Sequence, residues 1–139
     1  MTTVYLAHPM DHSREDYAAL AEFLRSGGLV VFDPARPWLL PGDPGPEESR
    51  SVLMVNSAVL LNCDAVLAVM SPSDLSLGVY GELQLAVRHR KRCALLWRSD
   101  QPLGLALVSL GDRLQVFRSS DLAFEWLKEV RECPMPATR

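Results

Sequence analysis

The sequence is short of cysteine, of long apolar runs and of net charge, and each shortage excludes a class of protein. Its three cysteines, Cys63, Cys93 and Cys133, form no close pair and no metal-ligand spacing, so neither a disulfide scaffold nor a zinc module is expected. Thiols that stay reduced in a cytosol are the ordinary state of such residues. The apolar stretches are strand-sized, well below the roughly 20 residues that a membrane span needs. The amino-terminal Met-Thr-Thr-Val-Tyr has no basic region and no long apolar segment, which predicts no signal peptide and a cytoplasmic protein. A net charge of −3 argues against a nucleic-acid polymer as substrate, because polymer binding usually shows a basic face. A small anionic ligand stays open, since a few local donors suffice for it. Internal repeats and low-complexity blocks are also missing.

What is there is an ordinary globular composition, 48% hydrophobic and 22% charged over 139 residues, enough for one domain with one core. Val4 to Ala7 reads as a buried strand. Arg14 to Ser26 carries Tyr17, Leu20, Ala21 and Leu24 on one helical face, with Ser13 as N-cap, Asp16 in an imperfect capping box and Gly27 and Gly28 as the stop. Leu29 to Phe32 is a second strand. Residues 33–48 hold five of the ten prolines, which predicts a long loop, either a spacer or a flap, with Trp38 as a hydrophobic anchor or a base-stacking surface. Glu47 to Asn62 reads as a helix with Val52, Val55, Val59 and Leu60 on its apolar side. Ala65 to Met70 is a third strand, Gly78 to His89 a helix, Arg92 to Trp97 a fourth strand and Leu114 to Phe117 a fifth. Ser119 or Ser120 caps a last helix that runs to about Arg131, where Pro134 and Pro136 end it. Strands that alternate with helices predict a single-domain α/β fold: a doubly wound, flavodoxin- or Rossmann-like sheet of five parallel strands with helices on both faces. Ligands of such sheets sit beyond the carboxyl ends of the strands, which directs attention to the segments after Ala7, after Met70 and around residue 33.

The segment after the third strand, S-P-S-D-L-S-L-G-V-Y-G-E-L, passes from strand to loop to helix. Ser76 stands just before the helix, where a hydroxyl caps free backbone N–H groups. Gly78 lets a ligand approach the backbone closely, and a helix start of this kind suits an anion. Glu82 lies near the first turn, within reach of the same crevice, as a nucleophile or only as a favourable partner of the helix dipole. Tyr5 on the first strand, His8 after it and Asp64 before the third strand have bland readings: a core phenol, a loop donor, a helix-end cap or arginine partner. Together they make a chemical set, because a buried tyrosine can orient a carboxylate and a second carboxyl can protonate a departing base.

Three segments in order, V-Y-L-A-H-P-M-D-H-S-R-E-D, C-D-A-V-L-A-V-M and S-L-G-V-Y-G-E-L-Q-L-A-V followed by K-R-C-A-L-L-W-R, cover most of the chain. They resemble the nucleoside 2-deoxyribosyltransferase superfamily, and within it the 2'-deoxynucleoside 5'-phosphate N-hydrolases. The resemblance implies a catalytic domain over residues 1–133 with a tail at 134–139. It implies that Glu82 attacks the anomeric carbon to form a glycosyl ester, that Tyr5 holds Glu82, and that Asp64 assists at the base or sugar. Ser76 matches a serine that binds a 5'-phosphate in the hydrolases, where the transferases tend to carry an aspartate. Pro9 and Asp11 stand where the hydrolases place a serine and an arginine on the phosphate, and Ala106 stands where a neighbouring subunit supplies a second serine. Arg14, His8 and His12 are the candidates to compensate. The expected activity is cleavage of the N-glycosidic bond of a nucleoside or nucleoside 5'-monophosphate, with no metal or cofactor, in a homodimer or larger assembly. Base exchange by a transferase is the alternative outcome of the same chemistry. A nucleotide sensor of the same fold without catalysis and a flavodoxin-like domain loaded with a phosphate cofactor are the competing readings.

Overall fold

A computed structural model of the protein describes residues 1–9, 14–34, 45–73 and 75–130, with only the backbone for residues 14–16. Five strands, β1 (Thr3–Ala7), β2 (Val30–Phe32), β3 (Ala65–Met70), β4 (Arg92–Trp97) and β5 (Leu114–Phe117), form one sheet in the order β2-β1-β3-β4-β5. Every pairing is parallel. This is the doubly wound α/β fold that the alternating pattern predicts. The helices are α1 (Arg14–Ser26), α2 (Pro46–Asn62), α3 (Leu77–Arg88), the short α4 (Leu105–Val108) and α5 (Ser120–Lys128).

The central strands are apolar at nearly every position because both of their faces are covered. Val4 and Leu6 of β1 join Leu67 and Val69 of β3 in a core under α1 and α5. The alternate residues Tyr5, Ala7, Val66, Ala68 and Met70 join Leu60 of α2 and Val79 and Leu83 of α3 in a second core on the opposite face. The period-2 alternation of a strand therefore decides that Tyr5 looks toward α2 and α3. The edge strands β2 and β5 are only partly buried. The chain leaves β1 toward β2 on one side and crosses to β3 on the other, so the switch point of the sheet lies between β1 and β3, where doubly wound folds open a ligand crevice.

Two glycines have identifiable jobs. Gly28 ends α1 with φ +95°, a left-handed conformation that costs glycine least. At Gly27 an added Cβ would lie 2.1 Å from the tip of the Phe124 ring, so its lack of a side chain lets the α1 terminus approach α5.

The structure corrects several readings of the sequence. On α2 the buried residues are Asn56 and Leu60, while Val55 is exposed and Leu53 and Met54 more so. Apolar residues surround this helix on most sides, so their spacing could not select the face that meets the sheet. Helix α3 begins one residue earlier than expected, at Leu77, and α5 ends at Lys128. Ser119 is the N-cap position of α5, but its side chain makes no capping bond. The short α4 and a 3-10 turn at Gly111–Arg113 fill a stretch without helical periodicity. Ser13, Met10, Asp11, His12, Trp38 with most of the proline-rich loop, Cys133, Arg131 and the tail at 134–139 lie outside the described residues. Cys63 and Cys93 are free and buried, and burial pushes the Cys93 thiol up to about 12 against the pull of Arg113. Among the described residues no helix is long and apolar enough to cross a membrane.

Candidate active site

The switch-point crevice is built from three strand ends and one helix. Tyr5 is fully buried on β1 and stacks on Phe32 of β2, with ring centroids 5.6 Å apart. Its hydroxyl faces Glu82, which sits in the second turn of α3. Burial raises the pKa of Glu82 above the ordinary carboxylate value, while the Tyr5 hydroxyl and the charge of His8 pull it back. Tyr5 is raised in turn, by burial first and then by the charge of Glu82 and its hydrogen bond. The contact falls short of ideal geometry: Tyr5 Oη and Glu82 Oε2 are both sealed from solvent without a conventional hydrogen-bond partner among the described residues. The pair is coupled by proximity, with hydrogen-bonding capacity in reserve. A half-buried glutamate in this state is a desolvated, reactive carboxyl of the kind that gathers at functional sites.

His8 follows β1 and is almost fully buried. Its Nδ1–H donates to the Pro9 carbonyl oxygen over 2.9 Å, a partner that can only accept. Its Nε2 lies 2.7 Å from Asp33 Oδ1, and the imidazole ring stacks on Tyr17 of α1 at 4.3 Å with planes 17° apart. Burial alone would lower the affinity of His8 for its second proton. The hydrogen bond to Asp33, the Pro9 carbonyl and the charges of Asp33 and Glu82 together raise it.

Ser76 caps α3: its Oγ accepts from the Val79 N–H at 3.3 Å. Gly78 is exposed, and a Cβ there would make only an ordinary contact of 3.5 Å with Ser76 Oγ, so nothing among the described residues demands a glycine. The backbone of Arg14 opens α1, and its side chain lies outside the described part of the structure.

Asp64 is not brought to this crevice. It lies at the amino ends of β1 and β3, where its Oδ2 accepts from the Thr3 N–H at 2.8 Å and from the Thr3 hydroxyl at 3.0 Å. Its own N–H donates back to Thr3. From Thr3 to His8 a strand rises roughly 16 Å, so Asp64 and Glu82 sit toward opposite ends of the sheet. Two buried polar residues that sequence reasoning did not single out lie nearer the carboxyl ends of the strands. Asp33 follows β2 at the expected sheet edge and is buried; the sheet rule reached its segment but not the residue. Asn56 is buried on α2 with Oδ1 unpartnered among the described residues. It shares the helix face of Leu60, one turn nearer the carboxyl ends of the strands, and its only signal in the sequence was a polar residue at core spacing.

A separate apolar cavity of about 340 Å³ is lined by Met70, Leu75, Ser76, Tyr80, Trp97 and Leu107 among others. Tyr80 and Glu82 are two residues apart and so project from nearly opposite sides of α3. Ser76, the N-cap of α3, is part of the cavity lining. Among the described residues no group of three or more His, Cys, Asp or Glu side chains is placed to hold a metal ion.

A parallel doubly wound sheet with a tyrosine-coupled glutamate at its switch point is the frame of a small-molecule α/β enzyme. The chain belongs to the nucleoside 2-deoxyribosyltransferase family, whose family model matches residues 4–122, and it is therefore an enzyme of a glycosyl-transferring family. Solved structures share the fold. The 2-deoxyribosyltransferase of the psychrotolerant bacterium Bacillus psychrosaccharolyticus superposes with a TM-score of 0.75 at 19% identity, over 88% of this chain and 90% of that one. The 2-desoxiribosyltransferase of Leishmania mexicana gives 0.68 at 20% identity, over 94% and 98%. The CMP N-glycosidase of Clostridium botulinum gives 0.62 at 16% identity, over 91% and 98%. No curated protein matches the sequence.

Proposed function

We propose that the protein cleaves the N-glycosidic bond of a (deoxy)nucleoside 5'-monophosphate or nucleoside through a covalent intermediate on Glu82. The observation that carries this reading is the half-buried Glu82 carboxyl coupled to Tyr5 beside the switch point. In the first step a Glu82 oxygen attacks C1', the C1'–N bond breaks, and its electron pair leaves with the base, which takes up a proton. Water then attacks C1', the ester bond breaks, and Glu82 returns as a carboxylate while the water's proton goes to solvent. Tyr5 holds the carboxylate and donates to it as charge develops. Asp64, expected from resemblance to assist the leaving base, is assigned here to the Thr3 clamp. Asn56 takes a place in the substrate site, where its side-chain carbonyl oxygen, unpartnered among the described residues, accepts a hydrogen bond but its amide is no proton donor of a carboxyl's strength. Ser76 and the start of α3 receive the 5'-phosphate, with Gly78 leaving room for it and the Arg14 side chain as an added cation.

The proposal includes a homodimer: Leu53, Met54, Leu77 and Leu105 are all at least 60% exposed, and such apolar surface suits a subunit contact. Sedimentation reads that state directly. Base exchange is the second reading of the same chemistry, supported by the description of the matching family as a transferase. The test is base release followed by chromatography, with each common nucleoside and 5'-monophosphate, ribo and deoxy, with and without a second free base. Release from monophosphates without added base is the expected result. Exchange that requires a second base and no phosphate makes the enzyme a transferase, and binding without release makes it a sensor.

A further inference from the structure

The ladder between β1 and β2 is short. Its pairs are Thr3 with Val30, Val4 with Val31 and Tyr5 with Phe32, and β1 runs on past them to Ala7 beside β3. Strand β2 is an edge of the sheet, and its ladder ends at Phe32. Side chains take over there. His8 Nε2 lies 2.7 Å from Asp33 Oδ1, the His8 Nδ1–H donates to the Pro9 carbonyl oxygen at 2.9 Å, and the ring stacks on Tyr17 of α1. Both side chains of the pair are at most 2% exposed. Phe32 and Asp33 are consecutive and serve opposite faces of the sheet. Phe32 packs against the core under α2 and α3 and stacks on Tyr5 at 5.6 Å, while Asp33 meets His8 beside Tyr17, a member of the core under α1.

The His8–Asp33 contact needs a proton. A carbonyl oxygen only accepts, so Nδ1 carries a hydrogen, and Nε2 and a carboxylate oxygen are both acceptors unless one proton lies between them. With that proton the pair is neutral overall, whichever side holds it. Without it an unpaired anion is buried against a lone pair, which is costly in a protein interior. The ring accordingly keeps its proton above the ordinary histidine value: burial works against the charged form, and the bonds to Asp33 and Pro9 with the charges of Asp33 and Glu82 outweigh it. Among the described residues, the titratable groups that bear on the ring are Asp33 after β2, Tyr17 of α1 and, through its charge only, Glu82 of α3.

We propose that His8 and Asp33 are positioning residues, a buried, proton-holding bolt that carries the β1–β2 junction past its last backbone pair and keeps the Phe32 ring seated on Tyr5. This rests on the reading of Tyr5 as the residue that holds Glu82. When the bolt opens, the end of an edge strand is free to shift, and Tyr5 loses the ring that fixes its own. The bolt's contribution to stability is complete below the ordinary histidine value and is lost as pH rises through the folded one.

The wild-type protein supplies the first readout by NMR. The imidazole 15N shifts of His8 report the loss of its proton, and the NOEs between the Tyr5 and Phe32 rings should fade with the same midpoint. NOEs that persist through that titration overturn the proposal. Asp33→Asn supplies the second. An asparagine amide can donate to a neutral Nε2, so the contact survives without the extra proton: the His8 midpoint should drop and the ring NOEs should stay at alkaline pH. Loss of those NOEs at the wild-type midpoint overturns the proposal. In kinetics, His8→Leu should lower kcat about tenfold or more with KM within about twofold, as misplacement of a catalytic group does, and His8→Gln, whose amide can donate to Asp33, should recover part of the loss. A rise of KM confined to 5'-monophosphates, with kcat and the ring NOEs unmoved, would instead make His8 a phosphate ligand and overturn the bolt. Should His8→Leu fail to fold, the wild-type and Asp33→Asn titrations decide. Complete absence of base release by wild type would overturn the proposed function, while the NOE titration would still decide whether His8 and Asp33 hold Phe32 on Tyr5.

Discussion

Glu82→Gln separates a catalytic carboxyl from a structural one because the two make opposite predictions for stability. In the wild type Oε2 is sealed without a conventional partner among the described residues, and a buried group left so costs on the order of 1–3 kcal/mol. Tyr5 and His8 offset part of that cost. Glutamine keeps the shape, removes the charge and adds an N–H that can meet Tyr5 Oη. The variant should therefore be more stable at neutral pH by about 1 kcal/mol, which for a chain of this length is a rise of about 3–4 °C in Tm. The sign follows from linkage. The folded value of Glu82 lies above its ordinary one, so its native environment favours the protonated form. That contribution to stability is complete below the ordinary carboxylate range and is lost as pH rises through the folded value. The advantage of glutamine should accordingly vanish in acid and be full at neutral pH. Over the same range kcat for base release should fall by about a thousand-fold or more, as loss of a nucleophile does. Calorimetry from pH 4 to 8 beside the chromatographic assay gives both numbers. A Glu82→Gln protein that melts lower at neutral pH, or that releases base at the wild-type rate, would refute the reasoning.

Asp64→Ala should behave in the opposite way. It removes the two bonds that the carboxylate accepts from Thr3, so unfolding by urea should show a loss of about 1–2 kcal/mol, while kcat of the folded enzyme stays within twofold of wild type. Asn56→Leu replaces a buried amide whose Oδ1 is unpartnered among the described residues with an apolar side chain of similar size. Its stability should match or exceed that of the wild type, and its KM for the accepted substrate should rise about tenfold; an unchanged KM would remove Asn56 from the substrate site.

Most of the architecture was legible in the sequence because its signals are local. Buried parallel strands read as short apolar runs, so β3, β4 and β5 begin and end where the pattern placed them. Helix α1, with one clear apolar stripe and two glycines behind it, was legible to both of its ends. Helix α2 was legible as a helix but not in its orientation, since apolar residues on most of its sides give no preferred face.

The sequence by itself determined the order of elements, the parallel sheet, the family likeness, and the placing of Tyr5, His8, Ser76 and Glu82 near the carboxyl ends of strands. Tertiary structure alone decided which of these residues meet. Asp64 precedes the same strand that Ser76 follows, yet six residues of extended chain carry it to the far end of the sheet and into the hand of Thr3. His8 and Asp33, 25 residues apart, meet because β1 and β2 are parallel neighbours, with Tyr5 paired to Phe32, so that both chains leave the sheet at the same end. No one-dimensional spacing encodes such a contact: it follows from strand order, and strand order is a property of the folded sheet.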